Sequence, residues 1–246
     1  MFTPEERGQL RSELLDLAHS DPRITGGAIT GSAAAEREDA WSDIDLAFGV
    51  RSAAEVPGVL QDLSAHMYAR HGALHQLDLP RGAWIYRVFL LPSTLQVDLA
   101  FAPADEFGAL APTFRLVFGE ARPAKNATVP NTADLIGWAW LYALHARSCI
   151  TRGRVWQAEY MISAMRDQVL ALACVRLGLP AVYGRGMDGL PIEVTTPLRD
   201  ALVRSLDPLE LRRAMGVVTE ALLREIDAVD RDMAARLRDV LHDLVI

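Results

Sequence analysis

The sequence predicts an α+β fold in two parts, an N-terminal domain built on a mixed β-sheet with flanking helices and a C-terminal all-α helical bundle. Three observations carry this. Short apolar runs with period-two alternation recur between residues 24 and 101, the pattern of strands with at least one buried face. From 119 to 131 the chain turns polar and proline-rich, with Pro123, Lys125, Asn126, Pro130 and Asn131, the composition of a boundary. Beyond it the apolar period becomes helical and stays so. Domains are therefore expected over 1–120 and 131–246.

Each element has its own signal. Thr3-Pro4-Glu5-Glu6 opens a helix, with Thr3 as N-cap, Pro4 in the first turn and Glu6 closing a capping box, and Leu10, Leu14, Leu15 and Leu17 supply its apolar stripe. After a turn at Asp21-Pro22, residues 24–31 read as a strand ending in a glycine turn. A strand over 44–50, a helix over 56–70 and strands over 73–79, 83–91 and 95–101 follow. In the second half Thr132 caps a helix to about 150. Further helices are expected over 156–177, 197–206, 209–227 and 233–245. No internal repeat or low-complexity segment interrupts this order.

Half of the 246 residues are apolar, which is enough for a full core and excludes disorder as the resting state. No apolar run approaches the roughly 20 residues of a bilayer span. The opening, residues 1–11, is charged and amphipathic rather than a leader peptide, so a cytoplasmic protein without a membrane partner is expected. Cys149 and Cys174 lie in apolar helical patterns and read as buried free thiols. A net charge of −7 argues against nucleic acid as a partner and favours encounter with small cations.

The chemistry concentrates in Gly31-Ser32 and, after a polar loop, Ser42-Asp43-Ile44-Asp45-Leu46. Glycine then serine between strand and helix lets backbone amides approach a phosphate, with the helix terminus adding positive potential and the Ser32 hydroxyl a further donor. Alternation puts Asp43 and Asp45 on one face of their strand, about 7 Å apart, while Ile44, Leu46 and Phe48 face the core. Two such carboxylates can share a pair of magnesium ions about 4 Å apart. In Leu95-Gln96-Val97-Asp98-Leu99-Ala100-Phe101 a third acid, Asp98, stands opposite an apolar face, where an uncompensated charge is costly. If the two strands are neighbours, all three acids meet beside the Gly31-Ser32 turn.

Together, the Gly-Ser turn, the Asp43-Ile44-Asp45 pair and the later single Asp98 resemble the signature of the DNA polymerase beta-type nucleotidyltransferase superfamily. Ser42 to Leu46 and its distance from Gly31 are similar to the bacterial antibiotic nucleotidyltransferases of the aminoglycoside (kanamycin) and lincosamide type. The resemblance implies that 1–120 is a nucleotidyltransferase catalytic domain in which Asp43, Asp45 and Asp98 carry two Mg2+ ions. ATP or another NTP would be the co-substrate, with Gly31, Ser32 and Ser42 at the nucleotide. An acceptor oxygen would attack the α-phosphate and release pyrophosphate. The chain departs from the pattern at Ala35-Glu36-Arg37-Glu38-Asp39, where many relatives carry a glycine, often after arginine; Arg37 reads as a solvated ion-pair partner.

In order and character, 131–246 resembles the helical substrate- and nucleotide-binding domain of the kanamycin-type enzymes. That resemblance makes Glu159 the candidate general base for the acceptor hydroxyl. Arg166, seven residues on and on the same helical face, becomes a candidate for the NTP phosphates. Read without the resemblance, Glu159 is a polar helix-surface residue and Arg166 a salt-bridge partner. The glycines of 183–189 read as an inter-helix turn, Trp138, Trp140 and Trp156 as core, and the six histidines, which have no metal-ligand spacing, as structural or solvent-facing.

The leading functional expectation is a magnesium-dependent adenylyltransferase acting on a small hydroxylated acceptor, such as an aminoglycoside or lincosamide. AMP transfer to a protein or RNA acceptor and a non-catalytic, antitoxin-like binding role stay open, and a homodimer is compatible with the family.

Overall fold

The computed structural model describes residues 2–110, 113–124 and 129–245; Met1 and the linker residues Lys125 and Asn126 lie outside the described residues. The chain divides into two compact units, Met1–Ala127 and Thr128–Ile246.

The first unit runs α1 (Pro4–Ser20), β1 (Ile24–Thr30), α2 (Gly31–Ala34), β2 (Ile44–Val50), α3 (Val56–His71), β3 (His75–Arg81), β4 (Trp84–Leu90), β5 (Gln96–Pro103) and β6 (Phe114–Gly119). The capping box forms as expected: Thr3 Oγ1 accepts the Glu6 N–H and Glu6 Oε2 accepts the Thr3 N–H. The strands make one sheet in the order β3-β4-β5-β2-β1-β6. The β2–β5 pair is parallel and the others antiparallel.

Alternation along the two central strands builds different faces. Ile44, Leu46 and Phe48 of β2 and Val97, Leu99 and Phe101 of β5 point to a core that includes Leu10 and Leu14 of α1 and Val59, Leu63 and Met67 of α3. Small side chains, Ala47, Ala100 and Ala102, fill the opposite face with Trp84 and Phe107. Strands buried on both faces read as nearly continuous apolar runs, which is why β2 and β5 were legible. Strand β6 was not expected; it is a sheet edge whose Arg115, Leu116 and Val117 are all exposed, so no alternation marks it. His66 and His71 of α3 are structural in that both meet Glu13 of α1. No local spacing could announce a third partner on another helix.

The second unit contains α4 (Thr132–Thr151), α5 (Val155–Arg176), α6 (Ile192–Arg199), α7 (Pro208–Val229) and α8 (Arg231–Asp243). Asn131, not Thr132, caps α4, its Oδ1 accepting the Ala133 N–H at 2.8 Å. The helix expected over 197–206 lies instead at 192–199, with Pro197 inside it. It starts after Pro191, and the guanidinium of Arg213 donates to the carbonyls of Asp200 and Leu202, which gives those groups partners outside a continuing helix. Trp138, Trp140 and Trp156 are 52%, 38% and 75% exposed, against the expectation of core. Small residues of α4, Ala139, Ala143 and Ala146, line the interior in their place with Ile162, Met165, Val218 and Leu222; Trp138 stacks on Tyr142. Both cysteines are buried and free. Among the described residues, no helix is long and apolar enough to cross a membrane.

Candidate active site

Strand register assembles the site. In the parallel β2–β5 pair Asp45 stands directly opposite Asp98, on strands about 4.8 Å apart. Asp43 precedes β2 by one residue and extends the same face. Carboxylate oxygens of Asp43, Asp45 and Asp98 all lie within 4.8 Å of one another. Because β1 runs antiparallel to β2, with Ile29 opposite Leu46, its C-terminal end arrives at the N-terminal end of β2. Gly31 therefore abuts the acids: its φ is +63° and a Cβ there would overlap Asp45 Oδ2. Helix α2, which begins at Gly31, has only four residues, so the positive potential expected of a helix terminus is slight and the turn offers chiefly its amides.

The electrostatics are set by proximity and burial. Asp98 is pushed up to about 6, first by burial, with the Asp43 charge adding to it and a hydrogen bond from Gln96 opposing it. Gln96 was missed by the sequence reading. It lies two residues before Asp98 on the same face, and its Nε2 donates to Asp98 Oδ1 at 2.9 Å and to Asp43 Oδ2 at 3.3 Å. The period-two rule that located Asp98 would have found it.

Arg7 of α1 was missed too. Only 4% exposed, it donates through Nη1 to the carbonyls of Asp39 and Ser42 at 2.7 and 2.9 Å, and Glu38 lies 3.1 Å from its Nε. These contacts hold the loop that leads into Asp43. The Ser42 hydroxyl serves the same loop, accepting the Asp39 N–H and donating to Asp39 Oδ1. Arg37, in the loop that departs from the family pattern, is exposed. Ser32 Oγ is shielded from solvent and has no hydrogen-bond partner among the described residues.

Three carboxylates with convergent oxygens form a hard, all-oxygen donor set that suits magnesium. A divalent cation would also remove the mutual repulsion and the burial penalty on Asp98. The donor set and the raised Asp98 therefore both fit such an ion.

Glu159 and Arg166 belong to α5 of the helical unit. Ser163 Oγ donates to Glu159 Oε1 at 2.7 Å, and Arg166 pairs with Asp167 at 2.9 Å.

No family model matches the chain, and neither does any curated protein. Among solved structures, the chain is similar to an aminoglycoside 6-adenyltransferase from Bacillus subtilis, with 12% identity and a TM-score of 0.45 over 99% of each chain.

Proposed function

We propose that this protein is a nucleotidyltransferase that moves a nucleoside monophosphate, AMP from ATP, onto a hydroxyl of a small acceptor with release of pyrophosphate. The observation that carries this reading is the convergence of the Asp43, Asp45 and Asp98 oxygens beside the Gly31 turn. A structural explanation of the triad is poor, since three acids that repel one another, one of them raised by burial, weaken a fold unless they have work to do.

Asp43, Asp45 and Asp98 would hold magnesium, which when bound supplies positive charge to the triphosphate and acidifies the attacking hydroxyl. The chain's own groups do the rest. Gly31, without a side chain, lets the Asp45 carboxylate close on its turn. The turn's amides would serve a phosphate, and the Ser32 hydroxyl, without a hydrogen-bond partner among the described residues, would be a further donor. Gln96 tethers Asp43 to Asp98 and fixes the spacing of two of the acids. Arg7 holds the loop from which Asp43 projects. The family resemblance assigns Glu159 the removal of the acceptor's proton and Arg166 a phosphate contact. The net charge of −7 supports a cationic acceptor, such as an amino sugar of the aminoglycoside class.

The test is pyrophosphate release from ATP and the other NTPs with magnesium, across a panel of aminoglycosides, lincosamides and simple amino sugars. Release should require both an acceptor and Asp45, falling about a thousandfold in Asp45→Asn. Silence across the panel while NTP still binds would turn the reading toward a macromolecular acceptor or a binding role.

A further inference from the structure

We infer that Glu13, His66 and His71 form a second metal site, which takes a borderline transition-metal cation of the zinc type and clamps α1 to α3. This goes beyond the transferase reading and does not depend on it.

Glu13 projects from α1, and both histidines project from the last turns of α3. Glu13 Oε1 lies 2.9 Å from His66 Nε2 and 3.0 Å from His71 Nε2. All three ligand atoms fall within 4.8 Å of one another. Zinc–nitrogen and zinc–oxygen bonds of about 2.0–2.2 Å, at angles between square and tetrahedral, require ligand-to-ligand edges of roughly 3.0–3.5 Å. The two edges seen here need only a small opening to reach that range. As it stands, one carboxylate oxygen accepts from two imidazoles, an arrangement a cation replaces once each ring offers its lone pair instead of its proton.

Three features of the surroundings favour a cation over a simple ion pair. The side chains of His66, His71 and Glu13 are 22%, 19% and 45% exposed, so water can complete the coordination shell. The adjoining surface groove is lined by Glu5, Glu13 and Asp16 and, among the described residues, by no lysine or arginine. His71 is the last residue of α3, where the free carbonyl ends of the helix favour positive charge. The donor chemistry also separates this site from the acid triad, because imidazole with carboxylate selects zinc, nickel or copper, whereas three carboxylates suit magnesium. Since α1 also carries Arg7, which holds the loop before Asp43, an ion here would steady the helix that frames the acids.

The full-length protein, stripped with chelator, is titrated with zinc, nickel and magnesium by calorimetry. The same titrations are made on Asp43→Asn/Asp45→Asn and on His66→Gln/His71→Gln, with circular dichroism to establish that each variant is folded. Expected are one equivalent of zinc bound in the aspartate variant, loss of that equivalent in the histidine variant, and no competition from magnesium. At hundredfold excess over the dissociation constant, zinc should raise the unfolding midpoint by about 5 °C. If the histidine variant does not fold, the imidazole NMR signals of His66 and His71 in the wild type decide, and they must shift with zinc. The proposal is overturned if the wild type binds no zinc, if the histidine variant retains it, if the aspartate variant loses it, or if those imidazole signals stay still.

Discussion

Asp98 carries a charge that folding opposes. Its pKa rises from 3.8 to about 6 in the folded chain, chiefly through burial. Between those values the native state holds a proton that the unfolded state has released. Its contribution is therefore complete below about pH 4 and is lost as pH rises through about 6. Asp98→Asn should accordingly stabilise the metal-free protein at pH 7, by on the order of 1 kcal/mol once solvent screening is allowed for. It should also flatten the stability profile between pH 4 and 6 while abolishing transfer. Urea unfolding in chelator across that range measures this, and a variant less stable than wild type at pH 7 would count against the burial argument. At this scale Asp43, Asp45 and Asp98 were legible because acids in apolar alternating strands stand out. Gln96 was within reach of the same period-two rule but carries no charge to draw notice, and Arg7 was not legible, because an arginine in an amphipathic helix has an ordinary local explanation and only its tertiary contacts single it out.

The turn from β1 into α2 joins two requirements in one glycine. Gly31 has a left-handed backbone, and the space where a Cβ would go is filled by the Asp45 carboxylate. Gly31→Ala should cost roughly 1–3 kcal/mol of stability and displace Asp45, lowering magnesium-dependent turnover at least about tenfold. Denaturation and steady-state rates on the same preparation check both, and full activity in the alanine variant would remove Gly31 from the site. Elements with strong local signals were readable: the α1 capping box, the apolar runs of β2 and β5, and the long helices of the second unit. The helix expected to start at Pro197 starts instead after Pro191, with Pro197 inside it. Aromatic size does not fix burial here: Trp138 and Trp140 of α4 are exposed while alanines on the neighbouring stripe of that helix make the close interior contacts, and Trp156 of α5 is exposed as well.

At the scale of the whole molecule, charge limits the partners. With a net charge of −7, the chain should show no measurable affinity for single- or double-stranded RNA at physiological salt, where phosphate contacts need a basic surface. Fluorescence anisotropy with labelled oligonucleotides tests this, and salt-sensitive micromolar binding would reopen the RNA-modifying alternative. Composition and period change near residue 120, and the chain divides into the compact units Met1–Ala127 and Thr128–Ile246. The pairing of β2 with β5 has a consequence of its own. Parallel neighbours cannot be joined by a tight turn, and here α3, β3 and β4 intervene. During folding, then, that long loop must close before Asp45 can meet Asp98, and its closure drives like charges together. The like charges of the acids thus oppose this closure in the nascent chain, and divalent ions in the folding milieu would relieve that opposition.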